Sequence, residues 1–258
     1  MKIALFQYRP TNNLEENYQS IIKALNKAIA WKARFFFTKE CALSGYPPLE
    51  IQSVENLDFN IIRSKIEEVK VIAKTNDIHI CLGKITCRET KIYNSYVIIS
   101  PNTDVVAYYD KRALWGWDAD NYQKGNENGI IEIDNMKIGI RICFEIRFPE
   151  YFKELYLHDV DIAFVGFCDI ADTENGKRLE TIKAHLLTRA IENSIYVVSV
   201  NSTSKYKTAP TAIIDPDGNI EIIDNSSEEK VIFHEINKKD MNFGRKGRIS
   251  ISNDLLGI

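Results

Sequence analysis

The sequence lacks the features of membrane-spanning, secreted and metal-binding proteins. No stretch of the 258 residues approaches the roughly 18 consecutive apolar residues of a membrane-spanning helix. The first residues read as a β-strand and carry neither the basic region nor the cleavage site of a signal peptide. The four histidines, at positions 79, 158, 185 and 234, include no pair spaced four residues apart, so we expect no metal site. These absences predict a soluble protein without a membrane partner.

The net charge and the cysteines indicate which partners and which cellular compartment to expect. The net charge of −3 gives no broad positive field, so we expect no nucleic-acid partner. An odd number of cysteines without a CxxC pair is typical of free thiols in a reducing compartment, which predicts a cytoplasmic location. The five are Cys41, Cys81, Cys87, Cys143 and Cys168. With 45% hydrophobic residues, residues 1–258 are expected to form a single domain with a large core.

Hydrophobic periodicity predicts an α/β fold in which strands alternate with helices. The predicted strands cover residues 2–8, 34–38, 78–85, 92–100, 105–110, 161–166, 195–200, 211–214, 220–223 and 231–235. One predicted helix begins near Leu14, and the three others cover 57–74, 149–158 and 179–193. The basic run from Arg245 to Arg248 is interpreted as a solvated tail, with a contact to a partner subunit as the alternative.

The rest of the chain is organised around the stretch from 137 to 150. Ile138, Ile140 and Ile142 alternate as one face of a strand that leads into Cys143, and Pro149 is well suited to the first turn of a helix. A cysteine at such an elbow lies at the carboxyl edge of a sheet, where α/β proteins bind ligands. A lone cysteine is more often a buried structural residue.

Two further strand ends carry residues that complement a thiol. The apolar strand at 34–38 leads to Glu40, and the strand at 105–110 leads to Lys111. Taken singly, an acid or a lysine is usually a solvated surface charge. Together, an acid, an amine and a thiol at strand ends are the groups needed for covalent attack on an amide carbonyl.

These three stretches resemble the carbon–nitrogen hydrolase family, also called the nitrilase superfamily, over essentially the whole chain. The matching segments are those around Glu40, Lys111 and Cys143, together with Tyr93-Asn94-Ser95, Arg189–Asn193 and Asp215–Gly218. The resemblance implies a four-layer αββα sandwich and a homodimer or higher even-numbered homo-oligomer. It also implies a catalytic Glu40–Lys111–Cys143 triad that needs no cofactor.

The resemblance also implies roles for residues around the triad. The Phe144 backbone N–H and Lys111 would stabilise an oxyanion, and Phe167 and Cys168 would line the substrate pocket. Arg147 would bind a substrate carboxylate, unless it pairs with structural acids such as Glu150. The family usually has a second glutamate seven residues before the glycine that matches Gly125, and here Asp118 occupies that position. Asp118 would orient Lys111 and Glu40 through a water, or Asp120 would replace it.

The first-choice function is hydrolysis of a non-peptide C–N bond in a small aliphatic amide. This reaction would release ammonia and a carboxylic acid through an acyl-thioester. The alternatives are an N-carbamoyl amine or amino acid hydrolase, a stand-alone glutaminase-type amidase and, less favoured, a nitrile hydrolase. A catalytically impaired member used for binding or assembly is the non-enzyme alternative. It rests on Asp118 and on Thr181-Ile182, where many family amidases have His-Trp.

Overall fold

Two six-stranded β-sheets lie at the centre of the protein. The computed structural model describes residues 1–103 and 106–258. The first sheet has the order β12-β1-β2-β3-β4-β5. Its strands are β1 (Lys2–Gln7), β2 (Phe35–Thr38), β3 (His79–Arg88), β4 (Lys91–Ile99), β5 (Val106–Asp110) and β12 (Lys230–Glu235). The second sheet has the order β11-β10-β9-β8-β7-β6. Its strands are β6 (Ile130–Ile133), β7 (Met136–Ile142), β8 (Ile162–Gly166), β9 (Tyr196–Val200), β10 (Thr211–Ile214) and β11 (Ile220–Asp224).

Helices cover the outer faces of both sheets. The helices are α1 (Leu14–Ala30), α2 (Phe59–Asn76), α3 (Trp117–Asn121), α4 (Pro149–Leu157), α5 (Gly176–Asn193) and α6 (Phe243–Leu256). Helices α1 and α2 pack on the first sheet, whereas α4 and α5 pack on the second. The four layers are therefore helix, sheet, sheet and helix, which confirms the predicted αββα sandwich.

The alternation of side chains along each strand produces separate inner and outer cores. Phe35 and Phe37 of β2 lie in the core between the sheets, whereas Phe36 faces the outer core beneath α1 and α2. Ile140 and its neighbours two residues away in β7 enter the same inner core from the second sheet. A period of two therefore lets β2, whose residues are all buried, contribute to both cores.

Strand direction determines which residues meet at the same edge. Strand β2 runs parallel to β3, and β3 and β5 both run antiparallel to β4. The carboxyl ends of β2 and β5 consequently lie at one edge of the first sheet. In the second sheet, β7 and β8 are parallel, with Ile142 opposite Gly166. The residues after β7 and β8 therefore lie side by side.

Several predicted boundaries differ from those of the structure. Helix α2 begins at Phe59 because Asp58 caps it, accepting hydrogen bonds from two backbone N–H groups of the first turn. Strands β3 and β4 extend toward each other beyond the predicted ends at residues 85 and 92, so only two residues separate them. Val105, the first residue of one predicted strand, lies outside the described residues.

The prediction of a solvated basic tail at 245–248 is wrong. These residues belong to α6, where Arg245 is buried and Arg248 forms an ion pair with Asp217. Strand β6 and the short helix α3 were not predicted from the sequence. Among the described residues, no helix is long and apolar enough to cross a membrane.

Candidate active site

The structure places each predicted catalytic residue just beyond the end of a strand. Glu40 lies two residues after β2, Lys111 follows β5 directly, and Cys143 follows β7. The first two come from the first sheet and Cys143 comes from the second. Ile142 lies opposite Gly166, and Cys168, two residues beyond Gly166, donates its backbone N–H to Glu40, so the end of β7 lies close to Glu40.

Lys111 lies between two carboxylates in the interior of the protein. Its Nζ is 2.9 Å from Glu40 Oε1 and 2.6 Å from Asp118 Oδ2. The three residues are at most 4% exposed. Burial lowers the pKa of Lys111, but the charges of Glu40, Cys143 and Asp118 outweigh this effect and raise the pKa above its ordinary value. Lys111 is therefore a permanent ammonium in the site.

Two further hydrogen bonds fix the carboxylate of Glu40. Asn94 Nδ2 donates to Glu40 Oε1 at 2.7 Å, and the backbone N–H of Cys168 donates to Oε2 at 2.8 Å. The Cys41 thiol in turn donates to Asn94 Oδ1 at 3.4 Å, which orients the amide. The sequence singled out Asn94 only as part of a matching motif, and its contact with Glu40 was not anticipated.

Cys143 begins a tight 3-10 turn, Cys143–Arg147, with a backbone φ of +44°. This left-handed conformation is uncommon for a residue with a Cβ and needs support from its surroundings. The buried carboxylate of Glu145 supplies that support, because it accepts hydrogen bonds from Ile142 N (2.7 Å), Arg112 N (2.6 Å) and Tyr109 OH (2.7 Å). Glu145 thereby ties the turn to the first sheet.

The thiol of Cys143 is held in its neutral form. Burial raises the pKa of the Cys143 thiol, the charge of Glu40 raises it further, and Lys111 only partly opposes them. Asp169 and Asp118 act in the same direction as Glu40. At neutral pH the sulfur therefore needs a neighbouring base to become a nucleophile.

Asp118 contacts Lys111 directly, which differs from the predicted contact through a water. It lies in α3, and its other oxygen, Oδ1, accepts a 2.6 Å hydrogen bond from Tyr46 OH. Asp120 is exposed on the same helix, so the structure does not place it in the position of the second acid. The shorter aspartate reaches the ammonium because α3 carries it into the site.

A second buried ion pair supports the segment that follows Glu40. The side chains of Lys39 and Glu50 have no exposed surface and contact each other. Glu50 also accepts a 2.9 Å hydrogen bond from Tyr46 N and a hydrogen bond from the hydroxyl of Ser202, which follows β9 of the second sheet. Sequence reasoning missed this pair because a lysine beside a glutamate ordinarily indicates a solvated surface.

The predicted substrate-binding residues lie in different environments. Phe144 is partly buried, and the guanidinium of Arg147 lies 5.7 Å from the centre of its ring. Among the described residues, Arg147 forms no ion pair with Glu150. Phe167 is fully buried in the outer core of the second sheet, so the structure places it in the core and not on an open pocket wall. Cys168 is buried, and its backbone N–H donates to Glu40.

The aromatic stretch after Lys111 borders a large cavity beside the cysteine turn. The cavity has a volume of about 790 Å³, and its aromatic lining residues are Trp115, Tyr122, Phe144, Phe148 and Tyr151. Trp115 and Tyr122 both belong to the stretch that follows Lys111. Within residues 1–103 and 106–258, no cluster of three or more His, Cys, Asp or Glu side chains is arranged to hold a metal ion.

Comparison with known proteins places these features in one family. Residues 2–246 match the family model "Carbon-nitrogen hydrolase". The chain is 29% identical over 243 residues to the deaminated glutathione amidase of Dictyostelium discoideum, covering 85% of this chain and 81% of that protein. It is 28% identical over 227 residues to the 2-oxoglutaramate amidase of Bacillus subtilis, covering 81% and 84%.

A solved structure shares the fold at low sequence identity. This structure is a cysteine-to-alanine variant of the amidase from Nesterenkonia sp. AN1 in complex with butyramide. The TM-score is 0.82 at 16% identity, and the match covers all of this chain and 95% of the other. At this identity, the likeness concerns the fold.

Proposed function

The chain belongs to the carbon–nitrogen hydrolase family, and from that premise we propose that it hydrolyses a small amide through an acyl-thioester on Cys143. The observation that carries the proposal is the buried Glu40–Lys111–Asp118 network acting on a neutral thiol. It combines a base, a permanent cation and a nucleophile without any further group. Carbon–nitrogen hydrolase activity follows from the family, whereas the substrate and the residue roles are our proposal.

In the first step, Glu40 accepts the thiol proton while the sulfur of Cys143 forms a bond to the amide carbon. Such proton transfer contributes about 10²–10⁴-fold to the rate. The carbonyl oxygen becomes an oxyanion, which the Lys111 ammonium and the Phe144 N–H stabilise, each such donor contributing about 10²–10³-fold. Asn94 and the Cys168 N–H hold the Glu40 carboxylate in place, so it is already positioned to accept the proton of the Cys143 thiol.

In the second step, protonated Glu40 returns its proton to the departing nitrogen. The C–N bond breaks, ammonia leaves, and the acyl group remains on Cys143 as a thioester. Glu40 then accepts a proton from water, and the hydroxide attacks the thioester carbon. The C–S bond breaks as protonated Glu40 returns its proton to the sulfur, so that the carboxylic acid, the free thiol and the Glu40 carboxylate result.

We propose a small aliphatic amide as the main candidate substrate. The second candidate is an amide that also bears a carboxylate. Arg147 favours the second candidate, because its guanidinium stacks on Phe144 beside the cysteine turn and pairs with no acid among the described residues. A relative named for 2-oxoglutaramate, itself a carboxylate, points in the same direction. An arginine can bind a carboxylate with two parallel hydrogen bonds.

The test is ammonia release from a panel of amides. Butyramide represents the first candidate, and 2-oxoglutaramate and glutamine represent the second. N-carbamoyl-β-alanine and butyronitrile complete the panel. We expect turnover of at least one amide by the wild type and none by Cys143→Ala. Arg147→Met should raise KM for 2-oxoglutaramate and leave butyramide turnover unchanged. Rates no higher than those of Cys143→Ala across the panel would favour the non-catalytic binding protein.

A further inference from the structure

A small cavity beneath α6 contains a buried cation without a counter-ion. The cavity has a volume of about 260 Å³ and lies between α6 and the second sheet. Arg245 lines it and is only 4% exposed. Among the described residues, no carboxylate lies within ion-pair distance of Arg245. A buried charge is normally paired, because removal from water without a partner is costly.

The hydrogen bonds of Arg245 leave part of its guanidinium unused. Nη2 donates to the backbone oxygen of Lys239 at 2.5 Å, but Nε is buried and has no partner among the described residues. The hydroxyl of Ser194 lines the same cavity and is also buried without a partner. Orphaned buried donors are rare in folded proteins and commonly indicate an unseen ligand or water.

The other polar groups of the cavity do not neutralise Arg245. Asp161 is engaged by Lys238 at 3.0 Å and by the backbone N–H of Lys137 at 2.9 Å. Lys239 pairs with Asp215 at 2.8 Å, outside the cavity lining. Since Lys239 also pairs with Glu221, the two lysines of the lining are neutralised, and among the described residues Arg245 is the lining cation without a carboxylate partner.

The remaining walls are apolar and limit the size of an occupant. They are formed by Met136, Val160, Ile162, Tyr196, Pro216, Ile236, Met241 and Ile249. At about 30 Å³ per water, the volume corresponds to about eight or nine heavy atoms. A positive group at one place in an apolar hollow of this size matches an anion with a short hydrocarbon chain.

We propose that this cavity binds a short unbranched monocarboxylate, with Arg245 and Ser194 donating to its oxygens and the chain packed beneath α6. The site is separate from the Glu40–Lys111–Cys143 region, and its existence does not depend on amidase activity. Hexanoate, with eight heavy atoms, is the probe of choice.

The experiment is calorimetric titration of the full chain with hexanoate. Arg245→Met retains an apolar side chain of similar length without the charge, and we expect it to weaken hexanoate binding at least tenfold. Arg248→Met is the matched control, because Arg248 lies on the same helix but outside the cavity lining, and its affinity should stay within twofold of wild type. Arg147→Met should also leave the affinity unchanged, which separates this site from the proposed amide site.

Two control ligands separate the contribution of the hydrocarbon chain from that of the negative charge. 1-Hexanol has the chain without the charge, and inorganic phosphate has charge without the chain. Each should bind at least tenfold more weakly than hexanoate. Ile249→Trp, which fills the cavity and keeps Arg245, should also abolish binding. Absence of hexanoate binding, equal binding of either control ligand, or full affinity in Arg245→Met would each overturn the proposal.

Discussion

The two sheets contribute to the active site by different physical means. The first sheet delivers Glu40 and Lys111 as buried charges, and each charge contacts an opposite charge. The second sheet delivers Cys143 as a neutral thiol on a left-handed turn that the Glu145 carboxylate braces. The first sheet must therefore compensate the desolvation of charge, whereas the second must hold a backbone geometry. Substitutions on the two sides should consequently fail in different ways.

The largest effect is expected from Cys143→Ala. Amide hydrolysis should fall by at least about 10³-fold, because the bond-forming atom is lost. The free energy of unfolding should change by less than about 1 kcal/mol, because the neutral thiol forms no ion pair. Ammonia assays and urea unfolding measure the two quantities. Turnover near that of the wild type would show that another group attacks the amide.

Lys111→Met should damage both activity and stability. Loss of the ammonium should lower kcat about 10²–10³-fold. Glu40 and Asp118 would remain as buried, uncompensated acids, so the free energy of unfolding should fall by about 3–5 kcal/mol. Activity assays and denaturant unfolding at pH 7 test this expectation. If Lys111→Met proved as stable as the wild type, the first sheet would not depend on charge compensation.

Glu145→Gln tests the hydrogen bonds that hold the Cys143 turn of the second sheet. The new amide group would turn a donor either toward the Arg112 N–H or toward the Ile142 N–H and the Tyr109 hydroxyl, so the free energy of unfolding should fall by about 2–3 kcal/mol. Glu150→Gln is the control, since Glu150 is an exposed acid near the same turn and its loss should cost less than about 0.5 kcal/mol. Equal effects of the two variants in urea unfolding would remove Glu145 from this role.

The smallest of the main effects is expected from replacing Lys84, a buried lysine of the first sheet. Its effect on the free energy of unfolding should depend on pH. Burial lowers the pKa of Lys84 from 10.5 to about 8. Between these values the unfolded chain binds more protons than the folded one, so the free energy of unfolding should rise with pH. Lys84→Met should reduce this rise and stabilise the protein at pH 7 by on the order of 1–2 kcal/mol. Urea unfolding at pH 7, 8, 9 and 10 measures the slope, and an unchanged slope would contradict the assignment.

The layers and strand ends could be predicted because they depend on local pattern. The alternation in β7 and the continuous apolar run in β2 identified strands, and the order of acid, lysine and cysteine identified the family. Helix α3 could not be predicted, because five residues give no helical period and Gly116 provides no side-chain cap. Helix α6 was missed because Gly244 and Gly247 lie within its first two turns, where glycine ordinarily disfavours a helix.

The supporting contacts were beyond sequence reasoning because they depend on the packing of distant segments. Asn94 meets Glu40 across 54 residues, and Tyr46 meets Asp118 across 72. Arg245 was misassigned because a basic run ordinarily lies in solvent. A local pattern carries no information about which side chain folds against another.

The most direct test is the rate at which iodoacetamide alkylates Cys143 in the wild type and in Glu40→Gln, followed by peptide mass spectrometry with partly exposed Cys87 as the internal reference. The negative charge of Glu40 raises the pKa of Cys143, so charge alone would make Glu40→Gln react faster. If Glu40 is the base that accepts the thiol proton, Glu40→Gln must instead react more slowly. We predict that alkylation of Cys143 slows at least tenfold relative to Cys87, and an unchanged or faster rate would contradict the role of Glu40.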